Sequence, residues 1–168
     1  MSNAAARTWR AAIITVSDRC ARGQQPDDSG ELLAERLAQL PARIVFRRTV
    51  PDEPSEIGEA VLGARPAADI LVLTGGTGLS PRDVTPQALH AILDYEIPGM
   101  GEAMRAFGAR STPYAVLSRQ VCGVSGRALI IALPGSRKAV AESLAAIWEV
   151  LPHALELVAG DSRTHPTD

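Results

Sequence analysis

Cysteine, long apolar runs and net charge are all scarce in this chain of 168 residues. Cys20 and Cys122 lie far apart and in no CxxC pattern, which speaks against a disulfide framework or a zinc site. No apolar run approaches the ~18 residues of a membrane span. The opening MSNAAARTWR lacks the apolar core of a secretory signal; its SNA has the look of an expression scar and is set aside. The expected location is therefore cytoplasmic. A net charge of −2 argues against a nucleic-acid or membrane-surface partner, while leaving room for a local basic pocket. His90, His153 and His165 show no metal-like spacing, and Trp9, Trp148, Phe107 and the methionines are expected to pack.

What the chain does have is 46% hydrophobic content in an order that alternates strand and helix. Arg10–Ser17 is a short β-branched run, a buried strand. Asp28 is placed to cap a following helix with Glu31 in a capping box, and Leu33, Leu37 and Leu40 stripe its inner face. Arg43–Val50 reads as a second strand, and Pro54 opens a helix running to about Ala64. A third strand ends in Thr74-Gly75-Gly76. Thr85 then caps a helix with Pro86 at its first position and Leu89, Ile92 and Leu93 turned inward. A short helix is expected in IPGMGEAMRAFGA, strands in YAVLSRQ and RALIIALPG, and a helix from Ser136 that PHALELVAG extends. The order implies one α/β domain over 1–168, a three-layer sandwich with a mostly parallel central sheet, with about 1–9 and 160–168 as flexible ends.

In an open α/β sheet ligands bind beyond the carboxyl ends of the strands. Those ends carry Ser17-Asp18-Arg19, Pro51-Asp52-Glu53, TGGTG with SPRD, and Pro134-Gly135-Ser136-Arg137-Lys138. TGGTG is either a plain turn or a phosphate cradle, in which Gly75, Gly76 and Gly78 let backbone N–H groups approach oxygen. It matches neither the P-loop, since no lysine follows, nor the dinucleotide fingerprint. Asp52 and Asp83 are either surface carboxylates or, following strands expected to lie close, joint ligands of one Mg²⁺ beside a nucleotide triphosphate. Asp83 can alternatively pair with Arg82. Ser136 caps its helix, whose N-terminus also suits an anion, and Lys138 in the first turn favours one.

Taken in order, VSDRCARGQQPDDSG, VPDE, TGGTGLSPRDVTP, IPGMGEAMR, LSRQ and LPGSRKAV resemble the molybdopterin adenylyltransferase family, MogA/MoaB, with the related domains of plant Cnx and animal gephyrin. The resemblance runs from about Ala11 to Leu157. It implies the molybdopterin-binding fold, assembly as a homotrimer or hexamer, and other molybdenum cofactor biosynthesis proteins as partners. It also implies transfer of AMP from Mg·ATP to the terminal phosphate of molybdopterin, with release of pyrophosphate. Asp52 and Asp83 match the family's two carboxylates. Ser17, Asp18, Thr74, Gly75, Gly76, Thr77, Gly78, Ser80, Ser118, Gly135, Ser136 and Lys138 stand as pterin- and phosphate-binding positions. The chain departs from the family at Gln87, where an acid is common, at Tyr95 and Met100, where arginine and phenylalanine are common, and at Arg137, where proline is frequent. Two other readings remain: a MoaB-type binder or scaffold without efficient adenylylation, and a CinA-type nucleotide hydrolase.

Overall fold

The computed structural model describes residues 7–160. Both ends assigned as flexible fall largely outside that range, although Trp9 is 5% exposed and begins the first strand. Four strands, β1 (Trp9–Val16), β2 (Ala42–Val50), β3 (Ile70–Thr74) and β6 (Ala128–Leu133), run parallel. Two short antiparallel ones, β4 (Tyr95–Glu96) and β5 (Cys122–Ser125), complete a sheet of order β2-β1-β3-β6-β5-β4. The central strands β3 and β6 are almost wholly apolar, with Thr74 at the carboxyl end of β3, because helices cover both faces. Every residue of β3 and of β6 is buried.

Alternate residues of those strands serve different cores. Ala11, Ile13, Ile70, Val72, Leu129 and Ile131 pack under α2 (Asp28–Leu37), α5 (Pro98–Ala109), α6 (Arg137–Ile147) and α7 (Leu151–Val158). Ala12, Ile14, Leu71, Leu73, Ile130 and Ala132 pack under α3 (Pro54–Ala64) and α4 (Thr85–His90). This is the expected three-layer sandwich. Each fully buried Ile or Leu contributes about 1.5–3 kcal/mol by leaving water. Edge strand β2 is half exposed and carries Arg43, Arg47 and Arg48, charges that discourage further strand pairing.

Several local expectations change. The cap of α2 is Asp27, whose Oδ1 accepts from Gly30 N at 2.9 Å, because the helix starts at Asp28 itself. Glu31 turns instead to Arg47, 2.9 Å away. Thr85 is the first residue of α4 rather than its cap; its buried hydroxyl donates to Gly75 O at 2.8 Å. YAVLSRQ is not a strand. Pro113–Leu117 form a 3-10 helix opened by Pro113 and by Thr112, whose side chain accepts from Tyr114 N. The strand comes later, as β5. Finally, β2 and β3 are not neighbours, since β1 lies between them.

Candidate functional site

Because β1, β2, β3 and β6 are parallel, their carboxyl ends share one edge, and the loops leaving them build a continuous cleft there. One lobe, of about 360 Å³, lies between Ser17, Asp52, Gly75, Gly76 and Ser136. The other, of about 490 Å³, lies between Gly76, Gly78, Asp83, Ser118 and Ser136. Gly76, Gly135 and Ser136 border both, so the two lobes meet at the glycine loop. Thr77 and Gly78 line the second lobe and Thr74 the first. Asp18, Ser80 and Lys138 line neither; the Lys138 ammonium stands 3.8 Å from Glu142.

The loop holds its shape through specific bonds. Gly75 (φ +103) and Gly76 (φ +65) occupy the left-handed region, which only glycine enters cheaply. Gly75 N donates to Leu133 O at 3.0 Å, and Thr74 Oγ1 to Pro134 O at 2.8 Å, fastening the loop to the end of β6. Thr77 and Ser118 share a hydroxyl–hydroxyl hydrogen bond of 3.2 Å. Ser136 caps α6 by accepting from Ala139 N, and the N-terminal turn of that helix borders the cleft at Ser136 and Arg137. Arg119, which sequence reasoning missed, clasps the loop from across the cleft. Its backbone N–H donates to Thr77 O (2.8 Å), Nε to Gly78 O (2.9 Å) and Nη2 to Asp83 O (2.6 Å). The one available signal was its place beside Ser118 in LSRQ.

The two aspartates come from strands two apart: Asp52 sits two residues past the end of β2, whereas Asp83 is carried by the longer loop that follows β3. Asp18 and Asp52 exchange bonds: Asp18 N donates to Asp52 Oδ2 at 2.8 Å, and Asp52 N to Asp18 Oδ1 at 3.1 Å. Arg82 grips Asp18 through Nε and Nη2 and reaches Glu53 at 2.8 Å. It therefore ties three rim loops together and leaves Asp83 unpaired with it. Burial, chiefly, lifts the Asp52 carboxyl above the ordinary aspartate range; the bond from Asp18 N opposes that, and the charges of Asp18 and Asp83 add to it. Asp18 is held below that range, first by the bond from Asp52 N and then by Arg82, against a burial cost. Asp83 Oδ2 accepts from Ser80 N at 2.9 Å. Cys122 is buried at the start of β5, and burial pushes its thiol up to about 12, which keeps it protonated and structural.

Among the described residues no cluster of three or more His, Cys, Asp or Glu side chains is placed to hold a metal. That donor set still fits a magnesium ion brought in with a nucleotide, which typically takes one or two carboxylates and keeps water and phosphate oxygens. Both carboxylates lie close against the glycine loop: a Cβ at Gly76 would stand 3.3 Å from Asp52 Oδ1, and one at Gly78 would stand 2.8 Å from Asp83 Oδ2. Both carboxylates thus face positions that only glycine leaves open.

Residues 12–153 match the family model described as "Probable molybdopterin binding domain". The chain belongs to that family. It is 33% identical over 159 residues to a protein of Helicobacter pylori named molybdopterin adenylyltransferase, covering 92% of this chain and 90% of that one. It is 41% identical over 151 residues to the molybdenum cofactor biosynthesis bifunctional protein of Synechococcus elongatus, covering 89% of this chain. The chain spans about half of that relative's length, 47%. Among solved structures, the molybdopterin biosynthesis enzyme MoaB of Thermus thermophilus is 47% identical with a TM-score of 0.84, covering 90% of this chain and 97% of that one. A CinA protein of Thermoplasma acidophilum (18% identical, TM-score 0.67, covering 84% of this chain and 97% of that one) shares the fold alone.

Proposed function

We propose that this protein transfers AMP from Mg·ATP to the terminal phosphate of molybdopterin and releases pyrophosphate. The observation that carries the reading is the two-lobed cleft, with Asp52 on one lobe, Asp83 on the other and the glycine loop at their junction. Two phosphate-bearing molecules can meet there with a carboxylate from each side.

In the reaction an oxygen of the pterin phosphate attacks the α-phosphorus of ATP. A new phosphoanhydride bond forms, the α–β bridge breaks, and its electron pair leaves with pyrophosphate. Because the phosphate nucleophile is already ionised, the site has no need of a general base. Its task is to align two anions and to offset their repulsion. The glycine loop and the N-terminus of α6 supply N–H groups for phosphate oxygens. Asp52 and Asp83 would hold magnesium, whose charge offsets that gathering on the triphosphate. Arg82 and Arg119 keep the carboxylate loops in place. Thr77 and Ser118 line the wall that faces the pterin.

The named adenylyltransferase relatives support the enzyme reading over a binder lacking efficient turnover. Gln87 and Tyr95 are the departures from the family pattern that leave room for a binder. The proposal extends to a homotrimer or hexamer, to a cytoplasmic location and to contact with other molybdenum cofactor biosynthesis proteins. Among the described residues no helix is long and apolar enough to cross a membrane. Mass spectrometry of the pterin after incubation with Mg·ATP tests the activity. An added AMP moiety is expected; recovery of unmodified pterin bound to the protein would establish the binder instead.

A further inference from the structure

At the opposite end of the sheet, where β1, β3 and β6 begin, a cavity of about 570 Å³ gathers four arginines and two aspartates from separate parts of the chain. Arg7 and Arg10 come from the start of β1, Arg65 from the end of α3 and Arg127 from the turn between β5 and β6. The formal charge is four cations less two carboxylates, or +2, on a chain whose total is −2. Positive charge is therefore concentrated here against the overall balance.

The carboxylates do not absorb it evenly. Asp69, 8% exposed, is taken up by Arg10, accepting from its N (2.9 Å), Nε (3.1 Å) and Nη2 (2.9 Å). Arg7 lies 3.8 Å from the same carboxylate and 4.3 Å above the Trp9 ring. Asp94 accepts from Gly126 N at 2.6 Å. Arg65 and Arg127 reach only neutral oxygens, Ser125 Oγ at 2.8 Å and Ala159 O at 2.6 Å. Ser125 Oγ in turn donates to Ile92 O at 2.9 Å, which fixes the acceptor that orients Arg65. Each of these two guanidiniums is bonded through one nitrogen, with further N–H groups to spare and no ion pair among the described residues, while Asp69 and Asp94 border the same cavity. Planar forks of this kind match the oxygens of phosphate.

We propose that this cavity is a second anion site, which binds a phosphate group, free or as a monoester, through Arg65 and Arg127. It lies at the far end of the sheet from the glycine loop and does not depend on the activity proposed for that cleft. Trp9 offers a reporter through its contact with Arg7. In a Trp148→Phe background it is the sole tryptophan of the two in the chain. Inorganic phosphate and AMP are titrated separately at constant ionic strength against chloride, following Trp9 emission.

A saturable response to phosphate, absent with chloride, is expected. A response to AMP at lower concentration would assign the site to monoesters, and one to inorganic phosphate alone to the free ion. Arg127→Gln, at an exposed turn, should weaken binding at least about tenfold, since it removes a charge-assisted contact. Arg65→Gln combined with it should abolish the response. Equal titration curves for the parent and Arg127→Gln, or a phosphate response no different from that of chloride, would overturn the site.

Discussion

Replacing Gly76 by alanine places a Cβ where the structure has least room for one. At φ +65 the side chain itself costs about 1–2 kcal/mol. The new Cβ would also collide with Thr85 Oγ1, whose residue is 0% exposed and whose bond to Gly75 O is 2.8 Å. Leaving that buried pair unmade adds ~1–3 kcal/mol. Taken together at about 3 kcal/mol, the melting temperature falls by roughly 6–12 °C. A double-mutant cycle with Thr85→Ala isolates the collision. With the hydroxyl gone, Gly76→Ala should cost only the backbone term, so the two substitutions couple by about 1–3 kcal/mol. Turnover should stay low in both backgrounds, because the same Cβ stands 3.3 Å from Asp52 Oδ1 and crowds that carboxylate. Urea denaturation of the four proteins measures the cycle. Costs that add to within about 0.5 kcal/mol would refute the packing argument.

Asp83→Asn should lower turnover at least about a hundredfold while leaving pterin affinity within a factor of a few, as expected for electrostatic stabilisation made at the reacting phosphates; an unchanged rate would remove Asp83 from the mechanism. Arg119→Gln frees the carbonyls of Gly78 and Asp83 and should cost about 1–3 kcal/mol, with kcat falling more than affinity; a loss of affinity alone would make Arg119 a ligand contact rather than a clasp. Asp52 is held above 3.8 mainly by burial, so its charged form is disfavoured in the folded state. The folded state therefore binds more protons than the unfolded one just above 3.8, and this carboxyl loses stability as pH rises through its folded pKa. Asp52→Asn should accordingly melt higher than the parent at neutral pH without magnesium, the gain shrinking as pH falls toward that range; a lower melt at neutral pH would contradict the burial argument. Asp18 and Asp69, both held below 3.8, act oppositely, and the stability they confer is lost only as pH falls through their lowered pKa values.

The sandwich was legible because the continuous apolar runs of β3 and β6 and the helical stripe of Leu33 and Leu37 leave few alternatives once helices must cover both faces. Short elements were not. β5 is four residues and β4 two, set by pairing with β6 rather than by a pattern of their own. YAVLSRQ opens on a short apolar run that can pass for a strand, yet Pro113 and the Thr112 cap tip its first residues into a 3-10 helix. At the cleft, the rim residues could be read off because parallel strands must deliver their following loops to one edge. Strand order could not, so the closeness assumed for β2 and β3 was mistaken; the end of β2 delivers Asp52, and the loop after β3 delivers Asp83. Arg119 acts through bonds to backbone carbonyls of a distant loop, which no spacing announces.

Pyrophosphate release from Mg·ATP, followed with and without added molybdopterin, tests the central claim most directly. Release that requires the pterin, needs magnesium and disappears in Asp83→Asn is the outcome expected of the two-lobed cleft. Tight pterin binding with no release would contradict it, leaving a binding protein whose Gln87 and Tyr95 are the first residues to restore.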